Sequence, residues 1–182
     1  MAMWPQVGES GHDGRVAQLA MDIGRQLRMP PAELEVLGRA GLLHDVGKLG
    51  IPASILEKPA ALTESEWQVM RTHPELGLAI LGATGRITRE MLAVLHHHER
   101  MDGGGYPYGL AASEIPIEAR IVAVADTFDA LTSDRPYRRG FTQVEAMARV
   151  RVEAGPHLDP TIVASLIDVL DLSPTSSMSH RA

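Results

Sequence analysis

Apolar residues recur at three- and four-residue steps in one segment after another of this chain, and no stretch alternates as a half-buried strand would. That pattern commits the chain to helices packed on helices, because each segment carries one apolar stripe that must be buried against another. Val16, Leu19, Ala20, Ile23 and Leu27 mark the first stripe. Pro30-Pro31 ends that helix and starts the next. The second stripe, Leu34, Leu37, Gly41 and Leu42, runs directly into His44-Asp45. Gly47, Gly50 and Pro52 then break the pattern. Thr63-x-x-Glu66 is a capping-box pattern and predicts one long third helix, striped by Trp67, Met70, His73, Leu76, Gly77 and Ile80. A further helix is predicted over 88–97, a glycine-rich loop over 99–113 and a helix over 116–131. Thr142-x-x-Glu145 opens another helix, and Asp159-Pro160 reads as an N-cap with proline at the first helical position of the last. The expectation is an all-α fold, a compact bundle of about seven helices.

Composition agrees. Hydrophobic residues make up 45% of the 182 residues, enough for a core, while aromatics are only 4%, so aliphatic side chains must fill it. One domain is expected over 12–172, with an irregular opening segment over 1–11 and a Ser-rich, disordered tail over 173–182. The absence of cysteine excludes disulfides, zinc-thiolate sites, iron–sulfur clusters and thiol nucleophiles, and fits a cytoplasmic protein. A net charge of −6 argues against long nucleic acid as a partner, because such binding relies on many Lys/Arg–phosphate contacts. A small anionic substrate is compatible, since bound cations reverse the local field. No signal peptide and no membrane-spanning run is expected.

The chemistry concentrates in imidazoles and carboxylates. His12, His44, His73, His96, His97 and His98 lie near predicted helix ends or on apolar stripes, and Asp45 and Asp126 border very apolar neighbours. A buried carboxylate must be paired, hydrogen-bonded or bound to metal. Each residue alone has an ordinary explanation, but those explanations would have to hold together. Without thiolates, imidazole nitrogen and carboxylate oxygen are what Mn, Fe, Co, Ni or Zn accept. A bridging carboxylate such as Asp45 holds two cations close together. Two such cations acidify a shared water and clamp the oxygens of a displacement at phosphorus.

His44-Asp45-Val46-Gly47-Lys48 resembles the HD superfamily of metal-dependent phosphohydrolases. The stretch His97-His98-Glu99-Arg100-Met101-Asp102-Gly103-Gly104-Gly105-Tyr106-Pro107 resembles the signature of its HD-GYP family. With the isolated His73 and the block from Asp126 to Arg138, the similarity runs from about His12 to Leu158-Asp159-Pro160. It implies a helical domain of the HD type that hydrolyses cyclic di-GMP to linear pGpG or GMP as a signalling output. The metal ligands it implies are His12, His44, the bridging Asp45, His73, His97, His98 and Asp126, holding two divalent ions, expected to be Fe or Mn. Lys48 matches a lysine that protonates the leaving oxygen or stabilises charge. Arg135 and Arg138 match phosphate contacts, their forked donors suiting phosphate oxygens. Tyr106 stacks on a guanine or anchors the loop. Asp129 orients a ligand or meets an additional metal, and Asp102 is a supporting residue. The resemblance also implies contacts between the glycine-rich loop and diguanylate cyclase proteins.

Arg138 stands where the family commonly has lysine. Gly8 stands where some members have a glutamate that supports a third metal, and Glu9 is one residue displaced, so two metals are expected rather than three. A low-turnover regulatory module, or hydrolysis of another cyclic dinucleotide, are the alternatives.

Overall fold

A computed structural model describes residues 11–82, 85–134 and 139–171. Gly8, Glu9, Arg135, Arg138 and the expected tail lie outside these residues. The described residues form α1 (His12–Gln26), α2 (Pro31–Leu43), a 3-10 turn (Val46–Gly50), α3 (Ala53–Leu56), α4 (Glu64–Met70), α5 (His73–Leu81), α6 (Arg89–His96), α7 (Ile117–Thr132), α8 (Gln143–Glu153) and α9 (Pro160–Asp171). Eight of these helices have seven residues or more and α3 is a single turn. Isolated bridges pair Asp102 with Ala111 and Ala154 with Leu158, and among the described residues no strand forms. The all-α expectation stands.

The caps fall where the sequence places them. Thr63 and Glu66 cap α4 reciprocally, as Thr142 and Glu145 cap α8. Asp159 Oδ1 accepts from the Thr161 and Ile162 amides at the start of α9. The single long third helix is wrong. It breaks at Arg71–Thr72, and α5 restarts at His73 with Pro74 in its first turn. Pro74 has no N–H to continue the ladder, and its ring disfavours helix in the residue before it. The break puts His73 at a helix start rather than mid-stripe.

The core is aliphatic. Val16, Ala20 and Ile23 of α1, Leu37 and Ala40 of α2, Ala93 of α6, Ile121, Val122, Val124 and Ala125 of α7, and Leu166 of α9 are fully buried in one cluster. Burial at about 25 cal/mol per Å² of apolar surface is what holds α1, α2, α6 and α9 around the central α7. The 3-10 turn and α6 both pack on α5. This arrangement brings the start of α1, the end of α2, the start of α5 and the end of α6 together beside the second half of α7. No described helix is long and apolar enough to cross a membrane.

Candidate metal centre

Three histidines share one local device. His44 Nδ1 lies 2.7 Å from the Gly41 carbonyl, His73 Nδ1 2.8 Å from that of Met70, and His97 Nδ1 2.8 Å from that of Val94. A carbonyl only accepts, so each Nδ1 donates its proton and each Nε2 presents a lone pair. All three rings are buried. His73 Nε2 and His97 Nε2 face each other at 3.4 Å. Two lone pairs at that separation repel unless a cation sits among them. His44 Nε2 is buried with no hydrogen-bond partner. Orphaned, preoriented imidazole nitrogens are what a metal ligand looks like before its ion, and the backbone carbonyls fix the ring orientation.

Asp45, which joins α2 to the 3-10 turn as the N-cap of that turn, stands between these rings. Its Oδ1 is 3.4 Å from His73 Nε2 and its Oδ2 is 3.5 Å from His44 Nε2. Each oxygen serves one side. Asp45, His73, His97 and His98 offer ligand atoms within 4.8 Å of one another, and so do His12, Asp13, His44 and Asp45. Asp126 joins the second group, its Oδ1 lying 3.2 Å from His12 Nε2 and 3.8 Å from His44 Nε2. Two clusters sharing one carboxylate fit a binuclear centre of nitrogen and oxygen donors. All seven expected ligands therefore converge.

The expected ligands are themselves held. Asp129 Oδ2 accepts from His12 Nδ1 at 2.8 Å. Arg15 forks onto Asp129, Nε at 2.6 Å and Nη2 at 2.9 Å, and reaches Ser133 Oγ at 2.8 Å. Asp129 thus orients His12 and lies behind the centre rather than in it. Lys48 donates to Asp45 Oδ2.

Electrostatics follow from burial. Burial and the neighbouring His44 and His73 push the His97 imidazole down to about 3, and burial lowers His73 and His98 as well. These rings stay neutral and keep their lone pairs at neutral pH. The carboxylates of Asp126 and Asp129 raise His12 to about 10. Burial would raise the Asp129 carboxyl, but the hydrogen bonds from His12 and Arg15 hold it down at about 2. Burial opposes ionisation of Asp45 too, and nearby His44 and Lys48 outweigh it.

The glycine-rich loop covers the His98 side. The Tyr106 ring stacks on His98 at 4.8 Å between centroids, with the Arg71 guanidinium 5.9 Å from the Tyr106 centroid. Gly103 adopts φ +76, the left-handed turn that glycine tolerates. Asp102 accepts from the Gly104 amide at 2.8 Å and pairs with Arg100, so it shapes the loop. The buried Glu99 carboxylate accepts from the amides of Tyr108 and Leu110 at 2.8 and 3.0 Å. His96 turns toward Glu99 and away from the centre.

Sequence reasoning did not single out Asp13, Arg15 or Glu99. Asp13 and Arg15 follow His12 in the first turn of α1, and an acid and a base beside a suspected ligand were the available signal. Nothing in the sequence marks Glu99 as buried.

The HD domain family model matches residues 5–162. A curated cyclic di-GMP phosphodiesterase of Pseudomonas aeruginosa is 40% identical over 168 residues, covering 92% of this chain and 40% of the relative. The cyclic di-GMP phosphodiesterase response regulator RpfG of Xanthomonas campestris pv. campestris is 44% identical over 162 residues, 88% of this chain and 43% of its own. Among solved structures, the cyclic GMP-AMP-specific phosphodiesterase V-cGAP3 of Vibrio cholerae superposes with a TM-score of 0.57 at 35% identity, over 92% of this chain and 37% of that one. The chain spans about two fifths of the length of these curated relatives.

Proposed function

The chain belongs to the HD domain family, in its HD-GYP branch, and on that premise we propose that it hydrolyses cyclic di-GMP to linear pGpG or GMP. The observation that carries this reading is the pair of imidazole–carboxylate clusters joined through Asp45. His12, His44, Asp45 and Asp126 would hold one divalent ion and Asp45, His73, His97 and His98 the other, with Fe or Mn expected. When bound, such a pair acidifies a shared water and clamps the attacking and leaving oxygens of an in-line displacement.

The chain's own residues supply the rest. Asp45 sets the spacing of the two clusters. Lys48, part-exposed and anchored on Asp45, offers Nζ as the acid that protonates the leaving oxygen. Tyr106, stacked on His98 and lining the cavity beside the centre, would meet a base there. Arg135 and Arg138 would meet the phosphates. The −6 net charge leaves these cations to attract the anion locally.

The test is chromatography of products from metal-reconstituted protein incubated with cyclic di-GMP, with a chelated control. Linear product that disappears on chelation is expected; no linear product from metal-loaded protein would sink the reading. The Vibrio relative's cyclic GMP-AMP specificity favours 3′3′-cGAMP as a second substrate to be run beside it. The reading places the enzyme in the cytoplasm, supported by the cysteine-free composition. It includes diguanylate cyclase proteins as partners of the glycine-rich loop, where the 58% exposed Tyr108 offers an aromatic contact; loss of a pull-down on Tyr108→Ala tests that part.

A further inference from the structure

A cavity of about 450 Å³ opens beside the metal centre. Its lining joins His97, His98 and Asp126 of the centre to Tyr106 of the glycine-rich loop and to Arg149 and Glu153 of α8. The volume lies in the range of small-molecule sites. Nothing in the metal chemistry uses α8. Arg149 and Glu153 are nevertheless an i,i+4 pair on one face of that helix, about 5–6 Å apart at Cβ. The Arg149 guanidinium lies over the Phe141 ring at 3.9 Å, which sets its plane, and its charge also acts on Glu145 one turn earlier in α8. Glu153 is held by His157 from the turn after α8.

We infer that Arg149 and Glu153 form a guanine subsite, reading one base of the dinucleotide whose phosphodiester lies at the metal centre. This rests on the cyclic dinucleotide reading above. Guanine presents two acceptors, O6 and N7, on one edge and two donors, N1–H and the N2 amine, beside it. A guanidinium fork matches the acceptors, and that pairing is the commonest specific contact to guanine. A carboxylate accepts from the donors. Adenine reverses the pattern, placing an amine where guanine has O6 and a lone pair where guanine has N1–H. The subsite therefore selects guanine over adenine, with Tyr106 on the same cavity wall to stack the base.

The test uses Arg149→Ala, Arg149→Lys and Glu153→Gln in the full chain. Arg149 is exposed, so its replacement leaves the core untouched. Two readouts are needed. The first is equilibrium binding of GMP and AMP, which requires no turnover. The second is kcat and KM on cyclic di-GMP beside bis(p-nitrophenyl) phosphate, a diester with no base. The wild type should bind GMP more tightly than AMP, and each variant should lose that gap, Arg149→Lys included because lysine has no fork. On cyclic di-GMP the variants should lose about 10- to 100-fold in kcat/KM, mostly through KM, with the base-free diester unchanged. Equal binding of GMP and AMP by the wild type, or a gap that survives in the variants, overturns the subsite. So does a parallel fall on both diesters, which would mark a structural role. A GMP preference lost in Arg149→Ala, found without any turnover of cyclic di-GMP, would support the subsite and sink the functional reading instead.

Discussion

Gly47→Ala is the smallest change that should dismantle half of the metal centre. A Cβ at Gly47 would lie 1.8 Å from the His73 carbonyl oxygen, 2.5 Å from the Gly77 amide nitrogen and 2.8 Å from the His73 carbonyl carbon. These are backbone atoms of α5, at its first residue and at its middle, so no side chain can swing aside. To reach even a tight contact of 3.0 Å, α5 must retreat from the 3-10 turn by about 1.2 Å. Metal–ligand distances tolerate about 0.2 Å, so the retreat carries His73 out of reach of an ion shared with Asp45. Overpacking costs about 1–3 kcal/mol, and a backbone-on-backbone clash belongs near 3 kcal/mol. The expected outcome is a lower midpoint in urea at unchanged slope, with metal content falling from two ions per chain to one. Denaturation and elemental analysis of the same preparation read both. A variant with wild-type midpoint and two ions would refute the claim that Gly47 is required by the close approach of α5.

Asp129→Ala removes the acceptor of His12 Nδ1 and Arg15→Ala loosens that acceptor, so the first should weaken the His12-containing site about 10–100-fold and the second by less, while the His73 site holds; metal titration resolves the two. His12 is raised to about 10, so without metal it is protonated at neutral pH, and an ion must displace that proton. Affinity at that site should rise with pH up to about 10, with proton release on binding detectable by calorimetry in two buffers; pH-independent binding would contradict it. The sign for metal-free stability is opposite: the ion pairs of His12 contribute fully below about 6.5 and are lost as pH rises through about 10. Glu99→Ala strands the Tyr108 and Leu110 amides at about 1–3 kcal/mol each and loosens the loop that stacks Tyr106 on His98, which hydrogen exchange at 106–110 would report.

Most of this site was legible because its members sit in local patterns. His44-Asp45 follows an apolar stripe and precedes Gly47, and His97-His98 precedes a glycine run, so residue order alone marks helix ends. Thr63, Thr142 and Asp159 announced their helices through capping, which acts within three residues. The break before His73 escaped because a stripe from Trp67 to Ile80 keeps helical phase across it; one proline outweighed the periodicity. Arg15 on Asp129, and Glu99 on the loop amides, depend on approaches between distant segments that no local pattern encodes. The same holds for the cavity between α8 and the metal centre, since α8 shows only an ordinary solvated face in sequence.

A centre in which Asp45 joins two clusters is tested most directly by the metal content of anaerobically prepared protein. Elemental analysis should give two transition-metal ions per chain for the wild type and a loss of both on Asp45→Ala. A wild type that retains none, or an Asp45→Ala variant that keeps two, would contradict the shared-carboxylate centre, and three ions per chain would contradict the limit of two drawn from Gly8.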